Sequence, residues 1–279
     1  MRTLIDLQPG DPAFGLALDE ALLAMSDERS TVRLWRNKLS VIIGRSQHLH
    51  DEVDWDRCKE TGIPVYRRCS GGGTVLHYPG NLNITLIVNG LWREKTVDEV
   101  DAACGCAVAN AVASLGITCR RVRNALLDSE GSRKLSGSAQ AVRGERRLYH
   151  ATLLLAAPPV PMSSVLRAMH PGYAPSGLPS QPRNVVSMDE LLAAQGTVPP
   201  QLRSSLETEP VLGRLVRELV TGFRALLEPE RNIKATTTAA PSPALDASVR
   251  LGTITPEERT WARHLEQSKY STAAWTHRH

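Results

Sequence analysis

Residues 67–77 read Arg-Arg-Cys-Ser-Gly-Gly-Gly-Thr-Val-Leu-His, continued by Tyr78-Pro79-Gly80-Asn81-Leu82-Asn83. Three successive glycines, Gly71, Gly72 and Gly73, constrain the chain more than any other feature, because each loses more backbone entropy on folding than another residue would. The apolar runs on either side, residues 63–66 and 82–88, read as strands, so the glycines lie between sheet elements. Without Cβ atoms a ligand can rest directly on the backbone, and exposed N–H groups can line a concavity for an anion or a carbonyl. Arg67 and Arg68 add fixed positive charge suited to phosphate or carboxylate. The spacing matches neither the phosphate loop G-x-x-x-x-G-K-[ST] nor the dinucleotide pattern G-x-G-x-x-G. On motif grounds alone, a charged glycine-rich hairpin and a ligand cradle are equally good accounts.

The charge balance narrows the partners. Thirty-three basic residues against 29 acidic ones leave a net charge of +4, which suits an anionic small molecule or an acidic partner and falls short of a nucleic-acid footprint. With 42% hydrophobic and 22% charged residues in 279, the chain can bury a core as one large domain or two ordinary ones. Cys58, Cys69, Cys104, Cys106 and Cys119 include no C-x-x-C pair, so a reduced cytoplasmic compartment and no bound metal are expected. No apolar leader opens the chain and no run of 18 apolar residues occurs, so an unexported, non-membrane protein is expected.

Periodicity predicts strands at 3–7, 31–35, 40–43, 118–121, 125–128, 133–139 and 148–155. Helices are predicted at 12–25, 51–61, 97–115, 163–169, 186–194 and 209–227, and Thr255-Pro256-Glu257-Glu258 is a capping box that opens a last one. Residues 170–182, rich in Pro, Gly and Ser, read as a loop over the site. These elements predict an α+β (mixed α/β) domain over 1–230 and a flexible linker over 231–250. A C-terminal helix and tail over 251–279 would pack back on the domain, with no full accessory domain. Strict βαβ alternation, the mark of a doubly wound sheet, is absent.

A second unusual run is Arg133-Lys134-Leu135-Ser136-Gly137-Ser138-Ala139-Gln140. A lysine followed by small residues on a strand leaves open space across which its ammonium can reach as a mobile point charge. A solvent-exposed lysine guarding an edge strand is the alternative reading of the same residues.

Taken together, these two runs, with His150-Ala151-Thr152-Leu153-Leu154, Leu16-Ala17-Leu18-Asp19-Glu20, Val41-Ile42-Ile43-Gly44-Arg45-Ser46-Gln47, Arg123-Asn124 and the closing Lys269-Tyr270 and Trp275, resemble the lipoate-protein ligase A family of cofactor transferases. The resemblance covers nearly the whole chain in the family's order. It implies a mixed α/β catalytic domain of the biotin/lipoate ligase type, related to class II aminoacyl-tRNA synthetases. The implied chemistry activates lipoate with ATP as lipoyl-AMP, with Mg²⁺ where the enzyme activates its own substrate. The acyl group then passes to a lysine of a lipoyl-domain protein, such as an E2 subunit or a glycine-cleavage H-like protein.

By this resemblance Lys134 is the catalytic residue, bridging acyl carbonyl and phosphate. Arg45, Arg68, Ser70, Gly71, Gly72, Gly73, Thr74, His77, Asn83, Asn124, Ser136, Gly137, Ser138, His150 and Thr152 contact substrate or adenylate. The family's Arg-Asn-Asp is here Arg123-Asn124-Ala125, a departure that bears on nucleotide and Mg²⁺ binding. The cysteine positions used by related octanoyltransferases hold no cysteine, which favours an adenylate over a thioester. Three alternatives stay open: a separate small accessory protein that performs the adenylation, a relay transferase taking octanoyl or lipoyl from a carrier, and a non-catalytic homologue that only binds lipoyl domains.

Overall fold

Thr31–Asn37 (β2) is buried at every position, which requires cover on both faces of the sheet that holds it. Its companions are Arg2–Gly10 (β1), Asn81–Asn89 (β6), Cys119–Val122 (β7), Ala125–Asp128 (β8), Lys134–Arg143 (β9) and Arg146–Leu154 (β10), in the order β1-β2-β6-β10-β9-β8-β7. β1 and β2 run parallel and every other neighbouring pair antiparallel. Ser40–Ile43 (β3), Val65–Arg67 (β4) and Val75–His77 (β5) form a second sheet in the order β4-β3-β5. The structure, a computed structural model, describes residues 1–25, 29–195, 209–228 and 251–278.

One face of the large sheet is covered by Val97–Ala113 (α4) and Glu209–Leu227 (α6). Val100, Cys104, Val108 and Val112 meet Leu215, Leu219 and Phe223 there, over Leu34, Ile84 and Leu153. The other face is covered by Pro12–Met25 (α1) and Pro256–Leu265 (α7), whose Leu18, Leu22, Ala262 and Leu265 cluster with Trp35, Ile87 and Leu148. α7 starts at the expected capping box, with Thr255 Oγ1 accepting from Glu258 N. The linker expected at 231–250 lies outside the described residues.

Two departures from the predicted elements shape the site. The single helix expected over 51–61 is two, Leu49–Glu52 (α2) and Trp55–Thr61 (α3). Val53 between them is extended and bridges to Leu166, and Asp54 restarts the helix by accepting from Arg57 N. The helix expected from 186 begins at Met188 (α5, Met188–Ala194), because Val186 N is used by Lys134 O. A local capping residue and a tertiary hydrogen bond respectively override periodicity. The helix expected over 163–169 is two short 3₁₀ turns, Met162–Ser164 and Arg167–Met169.

Candidate active site

Register builds the floor of the site. Trp35, Asn83, Thr152 and Gly137 are successive cross-strand partners, and Arg33, Thr85, His150 and Ala139 form the next row. Residues two apart on a strand share a face, so both rows lie on the α1 side of the sheet, where Ile87 continues the set into the core. The small residues of β9 leave space above this floor, and a cavity of about 260 Å³ opens there.

The glycine run forms the roof. Arg68 is buried and folds back on its own loop: Nη2 donates to Gly71 O (2.6 Å) and Gly73 O (2.7 Å), and Nε donates to Ser70 Oγ (3.1 Å) and Gly71 O (3.1 Å). Desolvation lowers its pKa to about 10, so the guanidinium stays charged at neutral pH. Gly72 holds φ +81, and its carbonyl occupies the place a Cβ on Gly44 would need, 2.0 Å away. The cradle therefore rests directly on the end of β3 and tolerates no side chain at that contact.

Lys134 enters from β9. A register irregularity between Leu126 and Leu127 accompanies its pairing with β8, and Lys134 N donates to Asn184 O (2.7 Å) on its other side. Its ammonium lies over Gly137, where a Cβ on that glycine would sit 2.5 Å from Nζ. Burial, then the charges of Arg68 and Arg183, lower its pKa. Lys134 lines this cavity and two smaller recesses, of about 80 Å³ and 150 Å³. The 80 Å³ recess is walled by Leu76, Leu154, Leu166, Met169 and Val185. A methyl at position 137 would displace a flexible chain end and no backbone. Gly137→Ala is therefore expected to leave the melting temperature unchanged and to slow turnover by roughly tenfold to 100-fold through misplacement of the ammonium. Thermal melts and steady-state rates check this pair of outcomes.

Two histidines line the same cavity as the lysine, His77 buried and His150 half-buried. Burial first, and then the charge of Arg68, hold both His77 and His150 down to about 3, so both are neutral at pH 7. Asn37 Nδ2 donates to His77 Nδ1 (3.0 Å), leaving the imidazole proton on Nε2. Ser70 Oγ, which accepts from Arg68, is hydrogen-bonded to His150 Nε2 (2.7 Å). His150 Nδ1 then stands 4.0 Å from Asp19 Oδ2, and Asp19 is held by Arg33 and by Thr85 Oγ1 (2.8 Å). Asn83 completes the floor: its Oδ1 accepts from Asn81 Nδ2, while its buried Nδ2 has no protein acceptor. An unpaired buried donor costs about 1–3 kcal/mol, which a ligand oxygen in the cavity would recover.

The loop at 170–182 closes over this floor, with Leu178, Pro179, Ser180 and Gln181 lining the cavity. It is stitched down through Glu52, which is fully buried and accepts from Tyr173 OH, Ser180 Oγ and Thr74 Oγ1. Gln47 joins the same network, donating to Ser180 Oγ (3.0 Å) and accepting from Thr74 Oγ1 (2.9 Å).

Of the residues expected at the site, Lys134, Arg68, Gly72, Gly73, Thr74, His77, Asn83, Asn124, Gly137, Ser138, His150 and Thr152 line the main cavity. Ser70 and Gly71 stand behind it as partners of Arg68. Ser136 lines the apolar recess. Arg45 is exposed and meets the cradle segment through its backbone, its N–H donating to Ser70 O and its carbonyl accepting from Arg67 Nη1. Sequence reasoning passed over Asp19, Arg33, Asn37, Gln47 and Glu52. Asp19 carried a signal: it is a carboxylate three residues after Leu16 and three before Leu22 on an otherwise apolar helix face. Glu52 carried none, since its role depends on partners 121 and 128 residues downstream.

None of the residues lining the three recesses is Asp or Glu, and among the described residues no group of three or more His, Cys, Asp or Glu could hold a metal ion. The residues present do not fit a protein-held Mg²⁺, and no step is assigned to one. No cysteine lines the recesses either. Burial and the nearby Glu20 push the Cys69 thiol up to about 12, which suppresses the thiolate a nucleophile needs. No described helix is long and apolar enough to cross a membrane.

The family model for the lipoyl protein ligase A/B catalytic domain matches residues 11–207. A putative lipoate-protein ligase A from Aeropyrum pernix is 40% identical over 152 residues, 54% of this chain and 56% of its own length. The chain spans about half the length of the curated relatives it matches. Among solved structures, a bi-partite lipoate protein ligase from Thermoplasma acidophilum, described with its E2 lipoyl domain, superposes with a TM-score of 0.71. Its identity is 27%, over 99% of this chain and 95% of that one. A lipoate-protein ligase A bound with ATP superposes with a TM-score of 0.72 at 26% identity, covering 99% of each chain. The mixed α/β fold is the one these lipoate ligases share, and the chain belongs to the lipoyl protein ligase A/B catalytic-domain family.

Proposed function

We propose that this chain attaches lipoate to a lysine of lipoyl-domain proteins, through lipoyl-AMP, with Lys134 as the catalytic residue. The observation that carries this reading is the setting of Lys134. Its ammonium stands at the junction of three recesses, is lowered in pKa by burial and by two arginines, and faces no carboxylate among their linings. Such a site calls for an anion, and an acyl-adenylate supplies one at the right place. Its phosphate and acyl carbonyl meet at Nζ, with the acyl chain on one side and the adenine on the other. As the acceptor amine attacks the acyl carbon, negative charge grows on the carbonyl oxygen, and a preorganised cation there stabilises it. Electrons then return to the carbonyl, the bond to the phosphate oxygen breaks, and AMP leaves.

The neutral histidines suit hydrogen bonding and not charge compensation. His77 offers Nε2–H, Asn83 offers its free Nδ2, and the Thr74 amide is already taken by Ser180 Oγ (2.9 Å). A lipoyl-domain acceptor, an E2 subunit or an H-like protein, would present its lysine at the open side of the cavity. We place the protein in the cytoplasm, in keeping with its five free thiols.

The purified chain with apo lipoyl domain, lipoate and ATP, followed by intact mass, tests the reading. The expected outcome is a single lipoyl addition. A parallel arm supplies lipoyl-AMP directly, and modification there alone assigns activation to a separate accessory protein. No addition in either arm sinks the reading and favours a binding-only homologue.

A further inference from the structure

A line of polar side chains crosses from α1 to the glycine roof: Asp19, His150, Ser70 and Arg68. His150 Nδ1 stands 4.0 Å from Asp19 Oδ2, His150 Nε2 is 2.7 Å from Ser70 Oγ, and Arg68 Nε is 3.1 Å from the same hydroxyl. Each end of the line has a fixed polarity, because a guanidinium only donates and a carboxylate only accepts. Asp19 takes Arg33 Nη1 at Oδ1 (2.5 Å) and Thr85 Oγ1 at Oδ2 (2.8 Å). Thr85 itself accepts from Trp35 Nε1 (3.0 Å), so its own hydroxyl proton is the one directed at Asp19. Ser70 is 1% exposed, and among the described residues its hydroxyl is bonded to Arg68 Nε and His150 Nε2 and to no third group.

These contacts select one proton arrangement. With its proton on Nε2, His150 would be a second donor to Ser70 Oγ, the buried hydroxyl proton would have no acceptor, and the Nδ1 lone pair would face a carboxylate. With the proton on Nδ1, Arg68 donates to Ser70, Ser70 donates to His150, and the Nδ1–H dipole points at Asp19. At 4.0 Å that last contact is electrostatic and too long for a hydrogen bond. Resting on the ligase reading above, we infer that Asp19 is a positioning residue: it fixes the Nδ1–H tautomer of His150 and, through Ser70, the Arg68 guanidinium that shapes the glycine cradle for the acyl-adenylate. Arg68 Nη2 is thereby aimed at Gly71 O and Gly73 O. The order of groups is that of a hydrolase triad, with a different use. Ser70 stands behind the cavity with both partners taken, and burial with the charge of Arg68 disfavours the imidazolium that a nucleophilic serine would generate. Ser70 is a link in the line, and no covalent bond is made or broken along it.

Long-range proton–nitrogen correlation spectra of the imidazole rings in the purified chain read the tautomer without any turnover, with the His150 signal assigned by its loss in His150→Gln. Wild type is expected to carry the His150 proton on Nδ1. Asp19→Asn, which removes the charge, should move it to Nε2, and Ser70→Ala should leave it on Nδ1. The second readout is transfer from preformed lipoyl-AMP to an apo lipoyl domain. Asp19→Asn and Ser70→Ala should each raise KM for lipoyl-AMP by about tenfold and leave kcat within about threefold, since the cradle is misplaced while Lys134 lies outside the line. Asp19→Asn leaves Arg33 without its counter-charge, and if that variant does not fold, wild type and Ser70→Ala, which keep the ion pair, decide alone. A wild-type His150 protonated on Nε2, an unchanged KM in Ser70→Ala, or a mass adduct on Ser70 from a fluorophosphonate serine probe overturns the assignment. A wild-type chain that shows the Nδ1–H tautomer yet transfers no lipoyl group overturns the ligase reading and upholds the tautomer.

Discussion

Lys134→Ala is expected to lower the rate of lipoyl transfer from preformed lipoyl-AMP by about 100-fold or more, the usual cost of losing one preorganised donor at a developing oxyanion. The fold should survive, because the lysine chain lies in a cavity above Gly137 and its backbone bonds to Asn184 and Val186 do not involve the side chain. Lys134→Arg keeps the charge but places a planar fork where a point charge fits, and should rescue little. The pH profile supplies an independent readout. Lysine is charged below its pKa, and burial with Arg68 and Arg183 lowers that pKa in the folded protein. Activity is therefore expected to hold on the acid side of the lowered value and to fall as pH rises through it, with the alkaline limb of kcat/KM below that of an ordinary lysine. Full activity of Lys134→Ala, or an alkaline limb unmoved by charge removal at Arg183, would contradict this mechanism.

Arg67→Ala is expected to produce the largest loss of stability of any substitution near the site, roughly 3–5 kcal/mol in denaturant titration. Arg67 is completely buried, yet it points away from the cavity. Its guanidinium donates to Gly44 O (3.0 Å), Gln47 O (2.6 Å), Thr276 O (2.8 Å) and Arg278 O (2.7 Å), while Trp275 Nε1 donates back to Arg67 O (2.7 Å). One side chain thus ties the C-terminal segment to the loop that carries the cradle. Removing it strands several buried carbonyls at once. Hydrogen exchange should rise at 272–278 and at 44–47 together. A destabilisation below about 1 kcal/mol, or exchange confined to the C-terminal segment, would show that the two regions are not coupled through Arg67.

These expectations separate two arginines that look alike in sequence. Arg67 and Arg68 are adjacent, and both read as phosphate ligands beside a glycine run. On a strand, neighbours point to opposite faces, so one guanidinium turns to the C-terminal segment and the other to the cradle. Even Arg68 spends its hydrogen bonds on loop carbonyls and shapes the cradle more than it reaches into it. Alternation predicts the split, but which face holds the site depends on the order of strands in two sheets.

Much of the fold was legible locally. Pro12–Met25, Ser40–Ile43, Ala125–Asp128 and Glu209–Leu227 fall where periodicity and caps put them, because their apolar faces and end signals agree. The late start of α5 and the strand after the glycines were not legible, since each is decided by a partner far along the chain, while the interruption between α2 and α3 combines the local cap at Asp54 with the distant bridge from Val53 to Leu166. The same division runs through the site. The glycine run was marked in sequence by residues that are costly without a use, whereas Lys134, His77, Asn83 and His150 were marked by the resemblance to the lipoate-protein ligase A family. The ion pair of Asp19 with Arg33 and the buried Glu52 beneath the 170–182 loop came only with the tertiary structure. A single chain determines its glycines, its small-residue strand and the charges it can offer. Which of those charges converge, and which are left without a counter-charge, is set by strand register and loop closure, because electrostatic demand belongs to a place in space and not to a position in the sequence.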